Sequence, residues 1–354
     1  MKKIKVAIIG VGSIAQAHIS AYLSDERCEL YAFCDIDENR LKSVGEKFGV
    51  THLYTDKDEM LKNCPEIDVV SVCTWNNSHA ECSIAALNAG KNVLCEKPMA
   101  MNAQEAQAMK KAAEQNGKLL MIGFVRRYGN DAKVIKDFID NGNFGDIYYT
   151  KATYLRRAGA PKGWFCDSEL SGGGPLIDLG VHVIDLARYL SGGPKPVSVY
   201  AATFNKLGNR EHLKFNTRWG IDSEKSVFDV EDLATALIRF DNGMVMALEA
   251  SFSLNIKEDV GTVQLFGDKA GAIIGSDIEM FTEENGYLTN TSLKCTTDSS
   301  FLNSGMFFGE IHHFLDCVCD NVECISPAEE GVLLMKILDA AYESARTGHE
   351  VEIK

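Results

Sequence analysis

Short apolar runs alternate with helix-like stretches along the first third of the chain. The apolar runs occupy residues 4–9, 30–34, 68–73, 92–95 and 119–123. Stretches with helical spacing separate them, as at residues 79–88 and 103–116. Continuous apolar runs of this length are typical of strands buried on both faces, as in parallel sheets. Their alternation with helices predicts an α/β fold with a doubly wound parallel sheet.

The pattern changes after residue 123. Strand-like runs with alternating polarity occupy residues 147–157, 197–204, 233–240, 245–252 and 262–266. Asp241-Asn242-Gly243 predicts a hairpin turn, and the alternation predicts an antiparallel sheet with one face available for packing. Helices are predicted at residues 131–141, 307–319 and 327–346. We therefore expect two domains, at residues 1–123 and 124–354.

The composition is that of an acidic globular chain. It has 354 residues, 45% of them apolar and 24% charged, close to the average for globular proteins. Thirty-six Lys and Arg against 50 Asp and Glu give a net charge of −14, which disfavours nucleic acid and anionic membranes as partners. No apolar stretch reaches the ~20 residues of a membrane span, and the N-terminal apolar run is too short for a signal peptide. We expect a cytoplasmic protein.

Eleven cysteines without a C-x-x-C spacing also favour a reducing compartment over a disulfide-bonded secreted fold. Several lie inside apolar runs, where cysteine acts as a small apolar side chain. His312, His313, Cys317 and Cys319 offer metal-ligand chemistry. They lie on one predicted helix without the ligand spacing of zinc fingers, so we predict no metal site.

The first apolar run ends in a glycine-rich turn, Gly10-Val11-Gly12-Ser13-Ile14-Ala15. Glycines there allow a tight turn and close approach of the backbone to a pyrophosphate, and the following helix N-terminus supplies N–H donors. The same residues could form an ordinary strand–helix turn. Asp35 ends the second run and is placed to bond ribose hydroxyls and to disfavour a 2′-phosphate. No Lys or Arg follows it directly, and Arg40 is a turn into the next helix, so NAD is favoured over NADP.

Polar side chains follow the ends of the later strands. Thr74-Trp75-Asn76 follows one apolar run, and Glu96-Lys97-Pro98 closes the next. Ligands of open parallel sheets bind beyond these carboxyl ends. Proline restricts the backbone of Lys97, and a lysine held beside a nicotinamide could hydrogen-bond a substrate hydroxyl and favour the developing alkoxide. A solvated lysine at a strand end is an equally good interpretation.

A second polar constellation lies in residues 172–186, where three glycines and a proline precede an apolar helical stripe. Asp178 and His182 are four residues apart, so they share one helix face. A carboxylate beside an imidazole can fix its tautomer and raise its basicity, as general acid–base catalysis requires. The alternative is an exposed helix with a weak ion pair. Gly180 argues against that alternative, because glycine is costly inside a helix.

These motifs together resemble the Gfo/Idh/MocA family of sugar and cyclitol oxidoreductases. The matching segments are GVGSIA, Asp35, TWNNSH, EKP, GFVRRY and GGGPLIDLGVHVIDL, in the family's order and spacing. The resemblance implies an N-terminal Rossmann domain and a C-terminal α/β domain with a large, mostly antiparallel open sheet. It makes Lys97, Asp178 and His182 the catalytic residues, with His182 as the acid/base. Trp75 departs from the family, which often has proline there.

The motifs and the resemblance together select the binding residues. For the cofactor we expect Gly10, Gly12, Ser13, Ile14, Asp35, Arg40, Thr74, Trp75, Asn76, His79, Glu96, Lys97, Arg127 and Trp164. For the substrate we expect Lys97, Arg127, Tyr154, Arg156, Asp178 and His182. Residues 156–165 resemble a family loop that approaches the nicotinamide and substrate. A basic surface loop with a core tryptophan explains that segment equally well.

The predicted function is transfer of a hydride between nicotinamide and a secondary hydroxyl of a sugar, glycoside or cyclitol. An alternative in the same fold keeps NAD bound and recycles it, as in transhydrogenases, glycoside-oxidising enzymes or NAD-dependent glycosidases. A non-catalytic sugar-sensing regulator is a third interpretation, which the presence of Lys97, Asp178 and His182 disfavours. The resemblance also implies a homodimer or homotetramer. Residues 206–224 are expected to be an insertion that forms a lid or a partner contact.

Overall fold

The computed structural model describes residues 3–161, 163–208, 210, 212–213, 227–293 and 305–354. These residues form two compact units. The first unit holds residues 3–128 and 305–332, and the second holds the described residues of 129–293 together with 333–354. Most of the insertion expected at residues 206–224 lies outside the described ranges. Within those ranges, no helix combines the length and the apolar composition that a bilayer span requires.

The first unit is built on a six-stranded parallel sheet with strand order β3-β2-β1-β4-β5-β6. Its strands are β1 (Ile4–Ile9), β2 (Cys28–Cys34), β3 (His52–Tyr54), β4 (Val69–Val72), β5 (Asn92–Glu96) and β6 (Leu120–Gly123). The helices between them are α1 (Ser13–Leu23), α2 (Glu38–Phe48), α3 (Lys57–Asn63), α4 (Asn76–Asn88) and α5 (Ala103–Asn116). The doubly wound parallel sheet is thereby confirmed.

Side chains at the strand–helix junctions set several of these bounds. The carboxylates of Asp37 and Asp56 accept backbone N–H bonds at the starts of α2 and α3, and the Asn102 amide oxygen does the same for α5. Each satisfies donors that have no partner inside the helix. Gly49 and Gly117 end α2 and α5 in the left-handed conformation that glycine adopts readily.

A C-terminal helix, Met306–Asp320, also belongs to the first unit. Ile311, Phe314 and Leu315 of this helix pack in the same apolar core as Ile19 and Tyr22 of α1. The expected division between residues 123 and 124 places this helix in the second domain. The structure differs there because apolar spacing marks the buried face of a helix without indicating which neighbouring elements it covers.

The second unit contains a nine-stranded sheet among its described residues, with strand order β14-β13-β12-β11-β7-β10-β9-β8-β15. The strands are β7 (Ile147–Leu155), β8 (Pro196–Phe204), β9 (Leu233–Phe240), β10 (Val245–Ser251), β11 (Val260–Gly267), β12 (Ala270–Ile274), β13 (Ile278–Glu284), β14 (Tyr287–Leu293) and β15 (Val351–Glu352). In this sheet β7 and β10 pair in parallel, and the other neighbours are antiparallel. The mostly antiparallel sheet is confirmed, and residues 241–243 turn between β9 and β10 as expected.

The helices of this part of the chain are α6 (Asn130–Asp140), α7 (Ser168–Ser171), α8 (Val181–Leu190), α9 (Met306–Asp320, in the first unit) and α10 (Ala328–Thr347). Helix α8 packs on β7 and β11 of the second unit. Strand β9 has one buried and one exposed face, since Ala234, Ala236 and Ile238 are buried while Leu237 is half exposed. The side chains of Tyr200 and Leu237, opposite each other on β8 and β9, are about equally exposed, at 51% and 50%.

Candidate active site

The glycine turn after β1 has the geometry that a dinucleotide requires. Gly10 has φ +85°, and a Cβ at that position would lie 2.7 Å from the carbonyl oxygen of Cys73 on the neighbouring strand end. Only glycine fits there without strain. A Cβ on Gly12, by contrast, would meet no described atom within 4 Å. The space beside Gly12 is therefore open, whereas the space beside Gly10 is filled by backbone.

The start of α1 also fits an anion. Among the described residues, no side chain caps the helix at Gly12, and its first turn carries no acidic residue. Ser13 is exposed and Ile14 is partly exposed in that turn. The N–H groups at a helix N-terminus carry partial positive charge, and phosphates bind to such groups. This uncapped turn, with open space at Gly12, fits the pyrophosphate of a dinucleotide.

Asp35 lies at the end of β2 and is 6% exposed. Its carboxylate accepts hydrogen bonds from the backbone N–H groups of Val11, at 2.8 Å, and Asp37, at 2.9 Å. One guanidinium nitrogen of Arg40 lies 3.5 Å from the same carboxylate and another bonds Asp37. Asp35 thus ties the glycine turn to the start of α2, in addition to any bond it makes to a ribose.

The ends of β4 and β5 are joined by His79. Its Nδ1 lies 2.7 Å from the carbonyl oxygen of Pro98, and its Nε2 lies 3.2 Å from that of Thr74. Burial lowers the pKa of His79, although the carbonyls and the charge of Glu96 oppose this effect. Trp75 is 38% exposed at the start of α4, and the neighbouring Asn76 is buried. His79 therefore holds in place the two segments that carry Trp75 and Lys97.

A buried polar network lies behind Lys97. The Glu96 carboxylate accepts from the Lys97 N–H at 3.1 Å and lies 2.8 Å from Nε2 of His18. Burial would raise the pKa of Glu96, but the hydrogen bond and charge of His18 hold it below its usual value. Ser71 continues the network, with its hydroxyl 3.3 Å from His18 and 2.8 Å from Tyr22. Lys97 itself is partly exposed at the end of this chain of contacts.

Sequence reasoning missed His18, Ser71 and Tyr22, which the fold buries beside Glu96. His18 and Tyr22 are four residues apart on α1 and so share a helix face, which was the available signal. Which strand that face meets is a property of the folded unit rather than of the α1 sequence.

Arg127, expected to contact cofactor and substrate, is held by protein groups. It is 2% exposed, donates to the Ile325 carbonyl and to the Glu330 carboxylate at 2.9 Å, and lies over the ring of Phe124. A buried ion pair of this kind holds the segment around Arg127 in place. Within the first unit Arg127 therefore attaches the chain after β6 to residues 325–330.

In the second unit, Asp178 and His182 lie on one continuous helical segment. Leu176–Gly180 form a π-helical turn that passes directly into α8, where His182 is the second residue. Asp178 is buried and His182 is partly exposed. A regular helix was predicted here, whereas the structure has a π-turn, a feature found frequently at functional sites.

Glu231 anchors the start of this segment and was not singled out from the sequence. Its carboxylate accepts from the backbone N–H groups of Gly174 and Leu176, at 2.9 and 3.0 Å, and from the Tyr342 hydroxyl at 3.1 Å. Burial raises the pKa of Glu231, although these hydrogen bonds oppose the shift. A Cβ on Gly173 or Gly174 would lie about 2 Å from Tyr342 or Glu231 atoms, so the glycines permit this close packing.

The loop expected to contact substrate packs beside the same segment. Ala160 and Cys166 share a small apolar cluster with Leu179, which neighbours Asp178, and Tyr154 packs against that cluster. Arg156 lies over the Tyr154 ring and donates to the Gly159 carbonyl at 3.0 Å. Trp164 is partly exposed and stacks on Phe165 with ring centroids 4.0 Å apart. The second unit therefore brings Tyr154 and its loop next to the helical turn that carries Asp178.

Comparison with known proteins gives matches along the whole chain. The model described as "Oxidoreductase family, NAD-binding Rossmann fold", of the Gfo/Idh/MocA family, matches residues 4–124, and the Gfo/Idh/MocA C-terminal domain matches residues 133–273. D-glucoside 3-dehydrogenase of Escherichia coli (strain K12) is 37% identical over 355 residues, which cover 99% of this chain and 97% of that protein.

Solved structures share the fold. Levoglucosan dehydrogenase in complex with NADH matches with a TM-score of 0.87 at 23% identity, over 100% of both chains. Aldose-aldose oxidoreductase from Caulobacter crescentus, complexed with glycerol, matches with a TM-score of 0.81 at 26% identity, over 99% of this chain and 100% of that one. Since the family models span most of the sequence and the E. coli relative aligns from end to end, the protein belongs to the Gfo/Idh/MocA family of NAD-binding oxidoreductases.

Proposed function

We propose that the enzyme oxidises a secondary hydroxyl of a sugar, glycoside or cyclitol, and that a D-glucoside oxidised at C3 is its substrate. The full-length similarity to D-glucoside 3-dehydrogenase carries this proposal. In the reaction the C3–H bond breaks and its electron pair leaves as hydride, the hydroxyl proton passes to the protein, and a ketone forms. Bound NAD⁺ supplies the electrophilic nicotinamide carbon, C4, that accepts the hydride.

His182 is the proposed base, since it is partly exposed and its imidazole can hold the hydroxyl proton. Asp178, four residues earlier on the same helical segment, orients the imidazole and stabilises its charged form. Lys97 donates a hydrogen bond to the reacting oxygen and stabilises its developing negative charge. Its backbone is held by the bond from its N–H to Glu96, so the ammonium starts from a fixed main-chain position.

The cofactor is NAD rather than NADP in this proposal. The Asp35 carboxylate supports it, because a buried anion at the end of β2 repels a 2′-phosphate and accepts hydrogen bonds from ribose hydroxyls. Gly10, Gly12, Ser13 and Ile14 surround the pyrophosphate position at the start of α1. Thr74, Trp75 and Asn76, which follow β4, complete the proposed cofactor contacts of the first unit.

Deoxy analogues of methyl glucoside test the reacting position. NADH formation is measured with purified enzyme, NAD and methyl D-glucoside, and with the 2-deoxy and 3-deoxy analogues. We expect turnover of the first two and none of the third. A substrate carrying deuterium at C3 is expected to give deuterated NADH in the mass spectrum. Turnover of the 3-deoxy analogue, or NADH without deuterium, would refute oxidation at C3.

A second candidate function keeps the nucleotide bound throughout the cycle. The structural match to an aldose-aldose oxidoreductase favours testing it, because such an enzyme reduces one sugar with the hydride taken from another. Stoichiometric nucleotide retained after purification, and oxidation that needs a second sugar but no added NAD, would support this function. Strict dependence on added NAD supports the dehydrogenase.

We also propose a homodimer or homotetramer in the cytoplasm. Half-exposed Tyr200 and Leu237, paired across β8 and β9, give the second unit an apolar surface suited to a second copy of the chain. The ten described cysteines are all free thiols, as a reducing compartment would keep them.

A further inference from the structure

Three side chains of the types that bind metal ions lie close together in the first unit, outside the proposed cofactor site. His313 and Cys317 lie one turn apart on α9, and Cys324 comes from the segment that follows the helix. One ligand atom from each lies within 4.8 Å of the others, and the Cys317 sulfur is 3.4 Å from Nε2 of His313. On the sequence alone, His313 and Cys317 group with His312 and Cys319 of the same helix. In the structure, Cys324 rather than His312 or Cys319 lies beside His313 and Cys317.

We propose that His313, Cys317 and Cys324 bind one Zn²⁺ ion. A tetrahedral zinc ion with ordinary Zn–S and Zn–N bonds holds its sulfur and nitrogen ligands about 3.5 Å apart. The observed 3.4 Å between Cys317 Sγ and His313 Nε2 is close to that separation. Two thiolates and an imidazole are also the ligand chemistry that zinc prefers over magnesium or calcium. Water takes the fourth position, because His313 and Cys324 are partly exposed and leave an access route.

Buried groups pack around the cluster. Burial raises the pKa of the Cys317 and Cys324 thiols, so both are protonated before an ion binds. Ser326 is fully buried, and its hydroxyl lies 3.0 Å from that of Tyr128, whose ring packs against His313. Hydrogen bonds from outer groups orient metal ligands and stabilise their charged forms. These contacts are present before any ion binds.

Zinc binding changes two bonds in this cluster. Without the ion, the Ile325 N–H donates to Nε2 of His313 at 3.1 Å, and the Cys317 thiol points at the same nitrogen. The ion binds the lone pair of that nitrogen, so the Ile325 N–H loses this acceptor and donates a hydrogen bond to water instead. The two thiols release their protons to solvent as they become ligands. The ion then links α9 to the segment around Cys324, which is a structural role.

Cobalt substitution tests the site directly. The full-length protein is stripped with a chelator in the presence of a thiol-free reductant and titrated with Co²⁺. A thiolate-bound tetrahedral Co²⁺ shows sulfur-to-metal charge transfer and strong visible bands, and Zn²⁺ abolishes them. We expect one equivalent to bind to the wild type and to Cys319→Ser, an exposed cysteine of α9 outside the cluster. Cys317→Ser and Cys324→Ser should each lose much of the charge-transfer intensity.

Thermal unfolding provides the second readout. Zn²⁺ should raise the midpoint of the wild type and of Cys319→Ser and leave that of Cys324→Ser unchanged, because only binding to the folded state stabilises it. Circular dichroism identifies a variant that fails to fold. If Cys317→Ser fails to fold, the test is made with Cys324→Ser, whose side chain is partly exposed. The proposal is overturned if the wild type shows no charge-transfer band. It is also overturned if both serine variants keep that band, or if Cys317 and Cys324 form a disulfide and no metal binds after reduction.

Discussion

Buried polar side chains hold the backbone around the proposed cofactor site. Asp35 accepts from Val11 and Asp37, and the neutral ring of His79 lies between the carbonyl groups of Thr74 and Pro98 and donates its single N–H to one of them. Because these bonds join separate strand ends, they fix the position of the surrounding backbone before a ligand arrives. Such preorganisation lowers the conformational cost of binding.

The Asp35→Asn variant tests cofactor choice at this site. The amide keeps the size of the carboxylate but removes its charge, so it no longer repels a 2′-phosphate. The guanidinium of Arg40, which lies 3.5 Å from the carboxylate in the wild type, then becomes available to pair with that phosphate. We expect kcat/KM for NAD to fall roughly tenfold or more, since hydrogen bonds to a charged group are lost. The preference for NAD over NADP should narrow. An unchanged ratio of the two kcat/KM values would show that Asp35 does not discriminate between them.

His182→Asn tests the proposed base. We expect kcat to fall by roughly 10²–10⁴, the usual contribution of a positioned general base, while NAD binds as in the wild type. Steady-state kinetics gives the first quantity and NAD titration by calorimetry gives the second. Exposed His349 supplies a matched control, His349→Asn, whose kcat should match the wild type. Near-normal turnover of His182→Asn would remove His182 from the mechanism.

Because His79 is buried, we expect the free energy of unfolding to fall in mild acid. Its pKa is lowered by burial in the folded protein from the ordinary value of 6.5, so the unfolded chain binds the proton more readily. The stability due to neutral His79 is complete above the unfolded pKa and is lost as the pH falls through the folded pKa. Denaturant unfolding of His79→Gln, from neutral pH to about pH 5, should therefore show a weaker pH dependence than the wild type. Equal slopes for the two proteins would contradict this role of His79.

At the scale of elements, the hydrophobic pattern predicted most of the longer strands with bounds close to those of the structure, including β9, which is buried on one face only. Strand β1 matches residue for residue, and α5 does too, because Asn102 and Gly117 mark its ends. Strand β3 was missed, since its three residues are exposed or partly exposed and carry no apolar run. Strand β14 was missed for a similar reason, as its side chains are mostly exposed and polar.

The candidate site could be predicted only in part for a related reason. The glycine turn, Asp35, Lys97, Asp178 and His182 are marked by short motifs that local sequence displays. His18 and Glu231 act through bonds to residues 78 and 57 positions away, which no local pattern records. The π-turn before α8 likewise depends on packing around Gly174 and Glu231 rather than on helix propensity.

Two alanine substitutions separate the two functions of the glycine turn. Gly10→Ala places a Cβ 2.7 Å from the Cys73 carbonyl oxygen at a positive φ, so we expect a clear drop in the melting temperature. Gly12→Ala meets no described protein atom within 4 Å, so the melting temperature should stay close to that of the wild type. The added methyl group then projects toward the pyrophosphate position and should weaken NAD binding. Unaltered NAD affinity in Gly12→Ala would place the pyrophosphate elsewhere.

At the scale of the whole molecule, the net charge of −14 and the exposed apolar positions act on association in different ways. The charge keeps copies apart at long range, but salt screens it beyond about 10 Å. In the proposed oligomer, apolar contact at Tyr200 and Leu237 acts only after two copies meet. A specific interface must therefore be complementary enough to overcome the repulsion, which suits a stable oligomer better than a transient one.

Leu237→Lys tests that interface. A lysine buried at an apolar contact would have to lose its hydration, so we expect the oligomer to dissociate. Light scattering coupled to size-exclusion chromatography measures the mass of the wild type and of the variant. Leu23→Lys, at another exposed leucine, provides a control with the same charge change. A monomeric wild type, or a Leu237→Lys variant with the mass of the wild type, would contradict the proposed contact.

The packing of α9 against α1 also governs how the protein can be made. The ribosome completes α1 almost 300 residues before it completes the helix that covers it. At a translation rate of ~5–20 residues per second, the apolar face of α1 stays uncovered for about 15–60 s before α9 is complete. Throughout that interval the nascent first unit exposes the surface that Phe314 and Leu315 later bury. Chaperones that recognise apolar segments on nascent chains therefore have a defined target, which stays exposed until α9 has been translated.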